Sequence, residues 1–196
     1  MTKNFIKNYL NKVKEISDII SIEEINTLAL SIFKVRKNNG RIFFLGIGGS
    51  AGNCSHAVND FRKICKIESY TPIDNVSELT ARINDEGWES SLSEWLKISN
   101  INSKDALFIM SVGGGNKLKG VSENLIKAMD FAKKNKTKIF GIIGKKDGYA
   151  KIKGDNVLVI PEVDKKLVTP LTESYQSIIW HCLVSHPMLQ KNSTKW

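Results

Sequence analysis

Two periodicities alternate along this chain. Phe5, Ile6, Tyr9, Leu10, Val13 and Ile16 stand at helical spacing, and Ile25, Leu28, Ile32 and Val35 repeat the pattern until Asn39-Gly40 ends it. Four compact apolar runs follow: "RIFFLGI" at 41–47, "ALFIMSV" at 106–112, "KIFGIIG" at 138–144 and "NVLVIP" at 156–161. They are short, rich in Ile, Val and Phe, and do not alternate with polar residues, which suits strands covered on both faces. A weaker strand candidate, "KIESYTPI", occupies 66–73.

Helical patterns separate the runs. Residues 75–99 have helical spacing interrupted between Asn84 and Gly87. In "VSENLIKAMDFAKKN", Ser122 is an N-cap candidate, with Leu125, Ile126, Met129 and Ala132 as the buried stripe. The last helix, within "LTESYQSIIWHCLVSHP", should stop before Pro187. Strands alternating with helices predict an α/β, doubly wound fold: a five-stranded parallel sheet flanked by helices, preceded by an N-terminal helical pair. The expected organisation is one domain, with helices over 1–40 and the α/β core over 41–187. Ligands in such folds sit beyond the carboxyl ends of the strands, which makes the residues after each run the place to look for chemistry.

Composition narrows this only moderately. The 196 residues, 41% hydrophobic and 25% charged, suit a globular domain and exclude a disordered or fibrous chain. A formal charge of +9 favours anionic partners. Its lysines are scattered without interleaved aromatic residues, so nucleic acid is not an expected partner. Cys54, Cys65 and Cys182 are too few and too irregularly spaced for a disulfide framework or a CxxC metal site, which suits a reducing cytoplasm. The first 16 residues lack the apolar stretch of a signal peptide, and no run approaches the roughly 18 apolar residues that cross a bilayer, so no membrane partner is expected.

The first strand leads into Gly46-Ile47-Gly48-Gly49-Ser50, with a helix expected from about Ala51. Glycines admit an anion close to backbone amides, and Ser50 adds a hydroxyl at the positive end of a helix. The pattern is neither the dinucleotide GxGxxG nor a P-loop, because Ala51 replaces the third glycine and no Gly-Lys-Ser/Thr follows. A tight turn required by topology alone is the competing reading. A second turn, "SVGGGN" at 111–116, follows the next long run, and two such turns facing one anion are harder to explain by topology.

His56 and Asp60 share a helix face at i and i+4, while Glu173 and His181 lie eight residues apart on the last helix. Two imidazoles and two carboxylates suit a divalent ion or a pair of proton-transfer groups; ordinary packed or solvent-facing histidines are the alternative. Trp88, Trp95 and Trp180 occupy helical positions where core or subunit packing is expected. Cys54 and Cys182 are expected to be packing residues, and His186 at the end of the last helix has no assigned role.

At these residues the chain resembles the sugar isomerase (SIS) domain family, and within it the phosphoheptose isomerases. The resemblance is carried by "GIGGSAGNCSHAVND", "NDEGWE", "SVGGGN" with "VSENLIKA", "KIFGIIGKKDG" and "ESYQSIIWH", in that order. It implies that Ser50, Asn53, Asp85, Ser111, Gly113 and Ser122 bind the sugar phosphate, and that Asp60 and His181 are catalytic. It also implies a divalent metal, with zinc the expected ion, on His56, Asp60, Glu173 and His181. Three departures accompany it: the family usually has glutamate at position 60 and, in zinc-bearing members, glutamine at position 173. Its serine- and threonine-rich phosphate loop is here Ser-Val-Gly-Gly-Gly, with about five extra residues before Ser122 and backbone amides in place of hydroxyls.

The implied activity is conversion of sedoheptulose 7-phosphate to a heptose 7-phosphate through an enediol, by a cytoplasmic homotetramer. The alternatives are another ketose or aldose phosphate as substrate, or a non-catalytic SIS-type sensor of a sugar phosphate.

Overall fold

The computed structural model describes residues 2–193. Two helices, α1 (Thr2–Ile19) and α2 (Ile22–Lys37), precede β1 (Ile42–Leu45), α3 (Gly49–Lys63), β2 (Ser69–Tyr70), α4 (Val76–Glu86) and α5 (Ser91–Ile98). The chain continues through β3 (Ala106–Ser111), α6 (Glu123–Lys134), β4 (Lys138–Ile143), α7 (Tyr149–Lys153), β5 (Asn156–Val159) and α8 (Val168–Ser185). All five strands are parallel, in the order β2-β1-β3-β4-β5.

The non-alternating runs are explained by the sheet's two apolar faces. Ile42, Phe44, Phe108, Met110, Phe140 and Ile142 pack against α1, α2, α3 and α8. Their sequence neighbours Phe43, Leu45, Leu107, Ile109, Ile139 and Ile143 pack against α5, α6 and α7 on the other side. Successive side chains of a strand point to opposite faces, so both must be apolar. Full burial of each large side chain contributes about 1.5–3 kcal/mol. At the base of the sheet Asp105, 2% exposed, accepts from the Arg41 guanidinium and backbone amide and ties β1 to β3.

Several local expectations shift. The weak strand candidate shrinks to the two-residue edge strand β2. Residues 84–86 remain helical, and Gly87, at φ +84°, makes the break instead. Helix α3 starts at Gly49 rather than Ala51, and α7 is an additional short helix. The last helix stops as expected: His186 is extended before Pro187.

Candidate functional site

From β1 the chain crosses to β2 on one side, and β3 lies on the other, so the sheet's topological switch falls between β1 and β3. Ligands of open α/β sheets bind in the crevice beyond such a switch. The turn after β1 fits there tightly: a Cβ on Gly46 would meet the Met110 carbonyl oxygen at 2.9 Å and the Ser50 oxygen at 2.7 Å. Gly48, at φ +63°, faces open space, and no side chain caps the first amides of α3. Ser50 is 1% exposed, yet its hydroxyl has no partner among the described residues. An uncapped helix start beside an unpaired hydroxyl suits an anion, and the Glu173 carboxylate already lies at its edge, against Gly49.

The turn after β3 is more fully engaged. The Ser111 hydroxyl accepts from the Gly114 amide at 3.0 Å. The Gly114 and Gly115 carbonyls accept from Ala150 and Tyr149 at the start of α7, and the Gly113 carbonyl lies so close to Gly148 that a Cβ there would be 2.4 Å from it. Asn116 and Val121 exchange backbone hydrogen bonds, closing the extra residues into a small loop. Lys117 anchors that loop to Asp130 at 3.0 Å and lies over the Tyr149 ring. Burial raises the Tyr149 phenol pKa, and its hydrogen bond to Asp130 raises it further.

Ser122 corrects one expectation. It stands before α6 in the left-handed region (φ 56°) and makes no capping bond, because a cap needs an extended backbone to bring the hydroxyl back to the helix amides. Its hydroxyl is therefore not used by α6.

Down the flank, α3 and α8 pack together and assemble the second group. Asp60 Oδ2 faces His56 Nε2 at 3.9 Å and His181 Nε2 at 4.0 Å. One ligand-capable atom from each of the three lies within 4.8 Å of the others. The His181 Nδ1 is 2.8 Å from the Ser177 carbonyl, which can only accept, so this nitrogen carries the hydrogen and Nε2 is left facing Asp60. Asp60 Oδ1 accepts from Asn59. Two imidazoles and one carboxylate, with outer hydrogen bonds to His181 and Asp60, form a donor set that suits zinc. The pairs stand slightly wider than the roughly 3.3 Å that bonds of about 2.0–2.1 Å give in a tetrahedron.

Glu173 does not join this group. Its carboxylate lies against Gly49, where a Cβ would meet Oε2 at 2.6 Å. Asn53, expected at the ligand, has its amide engaged by α8: Nδ2 donates to the Glu173 carbonyl and to Gln176 Oε1, and Oδ1 accepts from Ser177. Asp85 is exposed near the end of α4, where it accepts from Asn84.

Sequence reasoning passed over two residues of α8. Gln176 is fully buried with an unpaired Nε2, and Thr172 lies against Gly144, where a Cβ would meet its hydroxyl oxygen at 2.3 Å. A glutamine three residues after Glu173 on an otherwise apolar face was the available signal. Burial raises the Cys54 thiol pKa well above its usual value and pushes Cys65 up to about 12, as befits packing residues. Cys182 is exposed, contrary to the packing role expected for it, because its position on α8 faces away from the core.

Similarity to known proteins follows the same outline. Residues 4–144 match the SIS domain model. A phosphoheptose isomerase from Nitratiruptor is 30% identical over 166 residues, covering 82% of this chain and 83% of its own. Phosphoheptose isomerase 2 from Campylobacter jejuni is 25% identical over 92% of this chain and 87% of its own. Among solved structures, the phosphoheptose isomerase GmhA from Neisseria gonorrhoeae superposes with a TM-score of 0.79 at 19% identity, covering 94% of this chain and 98% of that one. The fold is thus that of a sugar-isomerase-type α/β protein, and the chain belongs to the SIS domain family. Within that family, the relatives described here are phosphoheptose isomerases.

Proposed function

We propose that the protein is an aldose–ketose isomerase that converts sedoheptulose 7-phosphate to D-glycero-D-manno-heptose 7-phosphate. The observation that carries this is that one helix serves both ends of such a substrate. Helix α3 begins at the anion site, and His56 stands seven residues beyond Gly49, about 10 Å at 1.5 Å per residue. A phosphorylated sugar chain covers that separation, whereas a bare phosphate does not.

The uncapped α3 amides and Ser50 hold the phosphate, with Ser111, Gly113 and Ser122 on the facing turn. Asn53 keeps α3 and α8 in register, and Asp85 completes the sugar contacts. Asp60 takes the proton from C1 of the ketose while His181, as the imidazolium with a proton on Nε2 as well as Nδ1, gives the Nε2 proton to the C2 oxygen, leaving an enediol. The C1 hydroxyl then loses its proton and C2 gains one, which regenerates both residues and yields the aldose. A zinc ion held by His56, Asp60 and His181 would polarise the sugar oxygens. Neither Asp60 Oδ2 nor His181 Nε2 can bind a metal and move a proton at once, so metal binding and proton transfer are alternative roles for these two atoms.

The finer reading is of a cytoplasmic homotetramer. Its self-association is supported by Phe5, Ile6 and Leu10 on α1, which are 64%, 57% and 60% exposed in the single chain. No helix among the described residues is long and apolar enough to cross a membrane.

The test is turnover of sedoheptulose 7-phosphate by metal-analysed protein, followed by NMR before and after chelation. Chelator-sensitive formation of the aldose is the expected result. Binding without turnover at any metal loading would favour a sugar-phosphate sensor, and turnover of a different sugar phosphate would reassign the substrate.

A further inference from the structure

We propose that Trp180 is a positioning residue whose indole sets the imidazoles of His56 and His181 around Asp60 for metal uptake; this rests on the metal-assisted reading above. Trp180 is fully buried, and its ring centroid lies 3.5 Å from that of His181 at 31° and 4.6 Å from that of His56 at 66°. One imidazole therefore lies over the indole and the other meets it edge-on, which leaves the two imidazoles nearly perpendicular, at 85° and 5.4 Å.

The two histidines depend on this platform unequally. His181 is also held by the Ser177 carbonyl, whereas no hydrogen bond holds His56 among the described residues. The His56 side chain is 59% exposed, and its polar neighbour Asp60 stands at 3.9 Å. Such a side chain would move among rotamers unless something fixed it. The edge-on contact with the indole is that restraint.

The indole nitrogen adds a second observation. Nε1 is buried and has no partner among the described residues. A phenylalanine would fill the core without burying an unpaired N–H. What the indole adds is a face wide enough to meet both imidazoles.

The experiment measures zinc affinity of the full chain by competition with a chromogenic chelator. It compares wild type, Trp180→Phe, Trp180→Leu and Leu183→Ala, the last an equally buried site on the same helix. Trp180→Leu should weaken zinc by ~10–100-fold, the usual effect of losing a group that orients a ligand. Trp180→Phe, whose narrower ring cannot meet both imidazoles, should weaken it by a smaller factor than Trp180→Leu, and Leu183→Ala should leave it unchanged while lowering Tm. Zinc should also change the indole fluorescence of the wild type but not of Trp180→Phe, a readout available even where Trp180→Leu fails to fold. Equal affinity in wild type and Trp180→Leu, equal weakening by Leu183→Ala, or a fluorescence change that persists in Trp180→Phe would overturn the platform alone. A wild-type chain that takes up no zinc would remove the metal reading, and the platform with it.

Discussion

The turns after β1 and β3 are both built of glycine and serine, lie on neighbouring strands and open on the same crevice, yet their polar groups are in opposite states. After β1, the Ser50 hydroxyl and the first amides of α3 have no side-chain partner among the described residues. After β3, Ser111 accepts from Gly114, and the carbonyls of Gly114 and Gly115 are taken by α7. The first turn is poised for a ligand; the second is a braced wall facing it. Glycine content alone does not distinguish them, because what matters is which amides and hydroxyls the rest of the fold has already engaged.

The largest effect should come from the carboxylate and imidazole that α3, growing out of the first turn, and α8 bring together. Asp60→Asn and His181→Gln should each lower kcat by about 10²–10⁴-fold with little change in Tm, since both side chains reach the surface and neither holds the core. Retained turnover in the double mutant would end that assignment. Next in size is a purely structural effect on the second turn: Gly114→Ala puts a side chain at φ +70° and within 2.9 Å of Ile143, and should cost about 1–3 kcal/mol of stability. Thermal melting checks it.

The two serines sharpen the contrast. Ser50→Ala should raise KM for the sugar phosphate by about 10-fold without loss of stability, because its hydroxyl has no protein partner to lose. Ser111→Ala should do the reverse, costing about 1 kcal/mol of stability with a smaller change in KM. Equal behaviour of the two variants would erase the distinction between the turns.

The smallest effect lies away from the crevice, where burial disfavours the Asp155 carboxylate but the Ile139 amide, Lys133 and Lys138 outweigh it and hold its pKa below the ordinary value. A depressed carboxyl pKa contributes stability above the unfolded value, near 3.9, that is lost as pH falls through the folded value. Acid unfolding below about pH 4 should therefore be less steep in Asp155→Asn, as read by far-UV circular dichroism against pH.

Much of this was legible in the linear pattern. Four of the strand positions and the N-terminal helical pair follow from apolar runs and periodicity, because hydrophobic burial acts on every residue of an element at once. His56 and Asp60 could be placed on one face because i,i+4 spacing is a local property of a helix. The ordered motifs carried the family. Less legible were the elements decided by one or two residues, such as the two-residue β2, the short α7 and the left-handed Ser122.

Contacts between distant segments lay outside what the sequence could decide. Spacing along α8 suggested that Glu173 and His181 share a broad face, but it is the packing of α3 against α8 that brings His181 to Asp60 and leaves the Glu173 carboxylate against Gly49. The same packing engages the Asn53 amide and places Trp180 beneath both imidazoles. Local periodicity sets which way a side chain points from its own helix, whereas the partner it meets depends on the depth and rotation at which two helices dock, and those are properties of the whole core.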